Sequence, residues 1–470
     1  MDNKIIIKTF KTRQNNYVYD RYTNSVFLID DDDFIKLKML EQGKVSEEIS
    51  EVISKYQCFG LLGENNVKKI EHPATNLIEH MLENRMEHLI LQVTQRCNLR
   101  CSYCTYSGIY DSTQRVHSNK DMNFETAKQA IDFFLKHSRE RNQIHIAFYG
   151  GEPLLRFDLI KQCVDYALNN CEGKDITFGM TTNGTLLKGD IADYLNEHGF
   201  QVGISLDGNK EEHDANRVFV NGKGSFDVIM ENVRNLKKRN NDLYKSISFM
   251  ATMNPKADIA CIVEYYKTDE LFNDRSIMFS EVKETGIIED LHYNKKYHLV
   301  RKYEYLKVLF MLAGLLDRKY TSQLAITAYS TYKRFYNNLK SHNPTKEVMH
   351  HGGPCLVGVA RLFVSADGVF YPCERVPENV DYFKIGSLKD GIDLEQAKKI
   401  INNGKITENQ CVSCWNLRNC SICSSNIVYG NYIKPCLEAK ITACEHEKAR
   451  VMGDLYELCV LREFGYNAEE

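Results

Sequence analysis

Charge of one sign is nowhere in excess: 60 Lys and Arg stand against 63 Asp and Glu, a formal charge of −3. That balance gives no general case for nucleic acid or an anionic membrane surface as a partner. Long apolar runs are missing too, since none approaches the roughly 20 residues that cross a bilayer. The start, MDNKIIIKTF, has neither the apolar length nor the cleavage site of a secretory signal. A reducing, cytoplasmic location without a membrane anchor is therefore expected. Cysteine is what the chain has in quantity, 16 in 470 residues. Without a secretion signal, that favours metal ligation over disulfides. The length allows roughly two to four domains.

The densest group of thiols is Cys97–Asn98–Leu99–Arg100–Cys101–Ser102–Tyr103–Cys104. It follows the apolar run Leu89–Val93, which reads as a buried parallel strand. A cubane iron–sulfur cluster ordinarily takes four Cys thiolates. Three thiols would leave one iron open to a small molecule. A three-Cys zinc site or a chance cluster is the competing reading. The spacing C-x3-C-x2-C, with Tyr103 inside C-x-Y-C, resembles the radical S-adenosylmethionine (radical SAM) enzymes. The resemblance implies a [4Fe-4S] cluster on Cys97, Cys101 and Cys104 whose open iron chelates S-adenosylmethionine. It also implies a 5′-deoxyadenosyl radical that abstracts hydrogen, with the protein positioning the cofactor and excluding solvent.

Ahead of this motif, Ile5–Phe10, Tyr17–Asp20 and Ser25–Leu28 read as short strands, the last two joined by a turn at Tyr22–Asn24. Asp30–Asp33 then falls at a helix N-terminus, where carboxylates favour the dipole. A second amphipathic segment runs from Val45 to Tyr56. Three small strands followed by helices resemble the winged-helix peptide-recognition module of maturases of ribosomally made peptides. By that resemblance residues 1–80 capture a leader peptide as an added strand. A structural cap is the plainer reading.

From residue 81 to 285 strands and helices alternate. Strands are expected at Ile144–Tyr149, Ile176–Thr181, Gln201–Leu206, Ile247–Met253 and Ser276–Ser280. Helices are expected at Phe124–His137, Phe157–Asn169, Ile191–Glu197 and Phe226–Lys238. Such units imply an α/β fold with a parallel sheet. Six strands would make a partial (β/α)6 TIM-like barrel with its chemistry at the strands' C-terminal ends. Gly150–Gly151–Glu152–Pro153 lacks the Lys-Ser/Thr of a phosphate loop and the glycine spacing of a dinucleotide site. It resembles the family's GGEP motif, which binds the methionyl amino group, with Glu152 fixing that end by hydrogen bonding. Thr181–Thr182–Asn183–Gly184 is either a plain turn or a direct cofactor contact through Thr181 and Asn183. Ser205–Leu206–Asp207–Gly208 and His213–Asp214–Ala215–Asn216–Arg217 resemble the SLDG…HDxxR signature of the subgroup with an iron–sulfur extension. That match places Ser205 on the ribose or carboxylate and makes Asp207 and Arg217 ordering residues. His213 itself reads as a structural histidine.

Residues 286–349 read as a helical bridge whose tyrosines, Tyr303, Tyr305, Tyr320, Tyr329, Tyr332 and Tyr336, suggest core packing. Between 350 and 470, Cys355, Cys373, Cys411, Cys414, Cys420, Cys423, Cys436 and Cys444 crowd into turn-rich sequence, which suits iron–sulfur or zinc ligation. Their order resembles the SPASM extension with two auxiliary cubanes. By that resemblance Cys355, Cys373 and Cys423 hold the first. Cys411, Cys414, Cys420 and Cys444 hold the second, with Cys436 as the other choice for the last ligand. Two departures stand out: the final pair is spaced x2 where x3 is usual, and Met349 stands where some members carry a further Cys. The first auxiliary cluster would then have an iron free for a substrate thiolate. Glu374 is the nearest motif-borne base, unless Arg375 or a lysine pairs with it. Cys58, Cys163, Cys171, Cys261 and Cys459 read as buried small apolar residues.

The resemblance is to maturases that form thioethers in Cys-rich ribosomal peptides, of the sactipeptide and ranthipeptide type. It implies an oxidoreductase using S-adenosylmethionine and three [4Fe-4S] clusters. A precursor peptide with a leader would be its substrate, and a flavodoxin or ferredoxin its electron donor. A formylglycine-forming sulfatase-maturing enzyme is the alternative within the class. A non-catalytic iron–sulfur electron carrier is the alternative outside it.

Overall fold

The computed structural model describes residues 5–273, 275–288, 294–339 and 343–466. Near the N-terminus, β1 (Ile7–Lys11), β2 (Asn16–Asp20) and β3 (Ser25–Ile29) form an antiparallel sheet in that order. Asn24, with φ of 59°, makes the left-handed turn between β2 and β3, a conformation that asparagine tolerates. Asp30 caps helix Asp31–Glu41 by accepting from the Asp33 N–H. Ser46 caps helix Glu47–Gln57 in the same way through Ile49. Both helices lay Leu37, Ile49 and Val52 on Val18 of β2.

Alternation along β2 sends Tyr17 and Tyr19 to the other face. There they pack with Val451, Leu455 and Leu458 of the C-terminal helix Leu437–Glu463. Glu463 fixes that contact by accepting from Thr12, Asn15 and Tyr17 at 2.6, 2.8 and 3.0 Å. The N-terminal sheet is thus built between its own helices and the far end of the chain. A short β4 (Lys69–Ile70) adds to the tie, pairing in parallel with β11 (Val348–Met349).

The central sheet holds six parallel strands: β5 (His88–Thr94), β6 (Gln143–Gly150), β7 (Asp175–Thr182), β8 (Gln201–Ser205), β9 (Ser248–Met253) and β10 (Ser276–Glu281). Each matches an expected strand to within a residue or two. Helices Phe124–Lys136, Phe157–Asn170, Gly189–Glu197 and Phe226–Arg239 alternate with them. Ile146, Phe148, Phe178, Ile204 and Phe249 fill the core between these layers.

The sheet does not end at β5. β12 (Leu362–Val364) pairs with it in parallel, and β13 (Val369–Tyr371), β14 (Gly386–Ser387) and β15 (Gly391–Ile392) continue it antiparallel, making ten strands. Phe363 and Phe370 join the same core. A boundary at residue 350 separates sequence motifs, while hydrogen bonding runs across it.

The bridge contains helices Lys295–Leu312 and Gln323–Leu339. Its tyrosines are not uniformly core. Tyr303 and Tyr320 are 59% and 52% exposed. Tyr305 donates to Glu457 at 2.6 Å, and Tyr336 packs against the C-terminal helix. Residues two apart on a helix face different ways, which separates Tyr303 from Tyr305. The side chains of Tyr329 and Tyr332 lie outside the described residues. Among the described residues no helix is long and apolar enough to cross a membrane.

Candidate active site and cysteine clusters

At the C-terminal ends of β5 to β8, Cys97, Cys101 and Cys104 line one cavity of about 180 Å³ with Gly150, Gly151, Thr181, Asn183, Ser205 and Arg217. The cysteine loop is held from the opposite side of the cavity. Arg100 N–H donates to the Val218 carbonyl at 2.7 Å and Ser102 N–H to that of Asn216 at 3.0 Å. Buried Leu99 anchors its centre. Burial pushes the Cys97 thiol up to about 12 and Cys101 up to about 11, Arg217 partly offsetting the latter. Cys104 is raised by burial as well. Thiols held this way stay protonated until a metal takes them as thiolates.

Gly150 and Gly151 are glycine for a backbone reason. Gly150 has φ of 153°, and a Cβ there would meet the Thr94 carbonyl oxygen at 2.1 Å; one on Gly151 would meet that of Arg96 at 2.1 Å. The pair therefore lies flat against the start of the cysteine loop, with Gly151 and Glu152 N–H donating to those two carbonyls.

Glu152 does not face the cavity. It is fully buried, and its carboxylate accepts from Thr182 Oγ1 at 2.7 Å, Asn183 N at 2.7 Å and Leu154 N at 3.1 Å. Burial raises its pKa and these bonds oppose the rise. These bonds brace the Thr181–Gly184 turn against the glycine pair. Pro153, also buried, opens the 3-10 turn behind it. The turn is both turn and wall: Thr181 and Asn183 line the cavity, and Asn183 Nδ2 donates to Asn98 of the cysteine loop at 2.8 Å.

Asp207, 2% exposed, lies behind the same wall. It accepts from the Tyr103 hydroxyl, from Arg217 Nε at 2.9 Å and from Thr252 N at 2.9 Å. The Arg217 guanidinium lies 5.4 Å from the centre of the Tyr103 ring. Tyr103 and Asp207 thus reach the cavity through Arg217, while Ser205 lines it directly. His213 is buried between Asp207 N–H and Ser225 Oγ, and burial drives its pKa to about 3. It is a neutral structural residue.

Asn98, Tyr106, His117 and Tyr149 were not singled out by the sequence. Tyr106, His117 and Tyr149 line the cavity, and His117 Nε2 stands 3.8 Å from Cys104 Sγ. Tyr149 was signalled by its inward register on β6. His117 comes from a loop without a motif and had no signal.

In the C-terminal region Cys411, Cys414, Cys420 and Cys444 line a second cavity with His351 and Lys440. Cys436 is the N-cap residue of helix Leu437–Glu463 and packs with Ile422, Ile427 and Ala439 instead. Cys373, Cys423 and Lys283 lie within electrostatic range of one another. Burial, then Glu374, pushes the Cys373 thiol up to about 12. Cys355 is exposed. Glu374 Oε1 accepts from Arg361 at 2.8 Å, with Arg375 at 3.6 Å, while Oε2 is buried without a partner. Met349 packs with Val67, Ile70 and Cys411. Among the described residues no group of three or more His, Cys, Asp or Glu is close enough to hold a single metal ion. Cys163 and Cys459 are buried as expected; Cys58 and Cys261 are exposed and Cys171 is half-buried, which corrects that expectation for these three.

Residues 91–266 match the model of the radical SAM superfamily, and the chain carries a radical SAM domain. An uncharacterised protein of Methanocaldococcus jannaschii is 40% identical over 42% of this chain; the match spans 63% of that protein, less than two thirds of its length. The cysteine-type anaerobic sulfatase-maturating enzyme of Clostridium novyi is 28% identical over 68% of this chain and 80% of its own. The radical SAM cyclopropyl synthase TigE of Paramaledivibacter caminithermalis is 24% identical over 82% of this chain and 79% of its own. Native anSMEcpe with bound AdoMet and Cp18Cys peptide shares the fold, with a TM-score of 0.57 at 19% identity over 81% of this chain and 99% of that one.

Proposed function

We propose that this chain is a radical SAM peptide maturase that forms thioethers, Cys sulfur to carbon, in a ribosomally synthesised Cys-rich precursor. The reading is carried by the cavity at the strand ends, where three thiols face the glycine pair, Ser205 and Arg217. All-thiol donor sets suit iron–sulfur clusters. When bound, a [4Fe-4S] cluster and S-adenosylmethionine would supply the one-electron chemistry that begins hydrogen abstraction. Cys97, Cys101 and Cys104 hold that cluster, and Gly150, Gly151, Thr181, Asn183 and Ser205 shape the cofactor's berth. Tyr103, Asp207 and Arg217 order one wall; Glu152 and Pro153 order the other.

Cys411, Cys414, Cys420 and Cys444 hold one auxiliary cluster, and Cys355, Cys373 and Cys423 hold a second with fewer protein ligands. Glu374 stands beside the latter as a candidate base, restrained by Arg361. A relative that matures sulfatases supports a polypeptide substrate. The leader would join β3, which pairs only with β2 among the described residues and exposes Leu28 nearby. A cytoplasmic setting with a flavodoxin or ferredoxin donor completes the reading.

The Clostridium novyi relative favours a second reading, formylglycine formation on a sulfatase. Mass spectrometry of a co-expressed precursor, with and without thiol alkylation, separates the two. A thioether product loses two hydrogens and one alkylatable thiol per link, and 5′-deoxyadenosine accumulates with it. An aldehyde with the sulfur gone supports the sulfatase reading. Two hydrogens lost with every thiol still alkylatable defeats the thioether assignment.

A further inference from the structure

One wall of the four-cysteine cavity carries a buried charge with no anion in ion-pair contact among the described residues. Lys440 is 0% exposed and donates one hydrogen bond, to the Asn403 carbonyl at 2.5 Å. It lies one helical turn before Cys444 and lines the same cavity. Glu447 is the carboxylate on that wall, and it is already engaged by Ser421 at 2.6 and 2.7 Å and by Arg450 at 2.9 Å. Lys448, the other lysine there, has its own partner in Glu445 at 3.2 Å.

His351, 2% exposed, also lines the cavity. Its Nδ1 accepts from Gly353 N at 3.3 Å, which leaves the proton on Nε2. That Nε2–H has the Asn403 side-chain oxygen as its neighbouring acceptor.

An ammonium taken out of water costs several kcal/mol unless an anion answers it. Four neutral thiols do not answer it. Four thiolates around iron do, because such a cluster is anionic and gains negative charge on reduction. Burial lowers the Lys440 pKa, and the Cys411, Cys444 and Cys420 sulfurs work against that. A fixed cation beside a cluster favours its reduced form over its oxidised form.

We propose that Lys440 is a built-in counter-charge that raises the reduction potential of the cluster held by Cys411, Cys414, Cys420 and Cys444. The inference rests on the ligand reading above. Lys440 is a positioning residue here, acting on the cluster's electronics.

The test uses full-length protein with Cys97, Cys101 and Cys104 changed to Ala, reconstituted anaerobically so that auxiliary clusters alone remain. EPR at controlled potentials gives their midpoints. Lys440→Met is expected to shift one midpoint to lower potential at unchanged iron content, and Lys440→Arg to keep it near the parent value. A Lys440→Met protein with unchanged iron and unchanged midpoints overturns the counter-charge. Should that variant fail to fold, pulsed EPR on the parent protein with 15N-labelled lysine decides the matter. A 15N coupling to a reduced cluster is expected, and its absence overturns the proposal. If Cys411→Ala and Cys420→Ala proteins keep both auxiliary signals and their iron, the ligand reading itself falls.

Discussion

Glu152 spends its carboxylate on the frame of the site. Its two oxygens collect three donors from two segments, so that the glycine pair and the Thr181–Gly184 turn are fixed to each other. Glu152→Gln keeps the shape but replaces one acceptor oxygen with a donor that faces donors already in place. Leaving such buried groups unpaired costs about 1–3 kcal/mol each. The expected result is a lower denaturation midpoint together with weaker S-adenosylmethionine binding by calorimetry. Loss of cofactor binding at unchanged stability would return Glu152 to the role of direct ligand. The sequence could mark this position as important but not distinguish the two roles, because a carboxylate after a glycine pair reads alike whether it points in or out.

Among the elements, helix Leu437–Glu463 bears on the choice between Cys436 and Cys444 that sequence spacing left open. Cys436 ends the preceding loop as the helix's N-cap residue and is not in the lining of the four-thiol cavity, whereas Cys444, two turns on, lines it. Cys444→Ala should therefore cost the reconstituted protein about four irons, the content of one cubane, and Cys436→Ala should cost none. Iron analysis beside the parent protein checks both, and the reverse pattern would transfer the ligand to Cys436. Elements with strong periodicity were legible in advance. All six parallel strands and four of the helices between them could be read from apolar runs, whereas helix Ile259–Thr268 was not among them. β12 could not, since Leu362–Val364 is too short to show a period and its partner β5 lies more than 260 residues away. The burial of the bridge tyrosines is hidden for a related reason: aromatic abundance says nothing about which face of a helix is covered.

For the whole molecule, the N-terminal unit is legible as a three-stranded sheet with two helices, but its attachment is not. Tyr17 and Tyr19 pack on the last helix, and buried Arg21 donates to the Val412 and Cys414 carbonyls at 2.7 and 3.3 Å. Nothing local in a strand reveals such contacts, which join residues some 390 positions apart. They change what a truncation means. Deleting residues 1–80 removes the supports of the Cys411–Cys414 segment along with any recognition surface, so the truncated protein is expected to lose auxiliary-cluster iron as well as precursor binding. A cleaner probe of recognition is the pair Leu28, on edge strand β3, and Ile35, on the helix that follows it, which are 57% and 58% exposed. Burying a large apolar side chain against a peptide is worth about 1.5–3 kcal/mol. Leu28→Lys with Ile35→Lys should therefore weaken binding of a fluorescently labelled precursor at least about tenfold. Iron content and denaturation midpoint should stay at parent values, because neither side chain contributes to the core. Undiminished precursor affinity in that double variant, beside lost iron in the truncation, would make the N-terminal unit a brace for the cysteine clusters and place leader capture elsewhere on the chain.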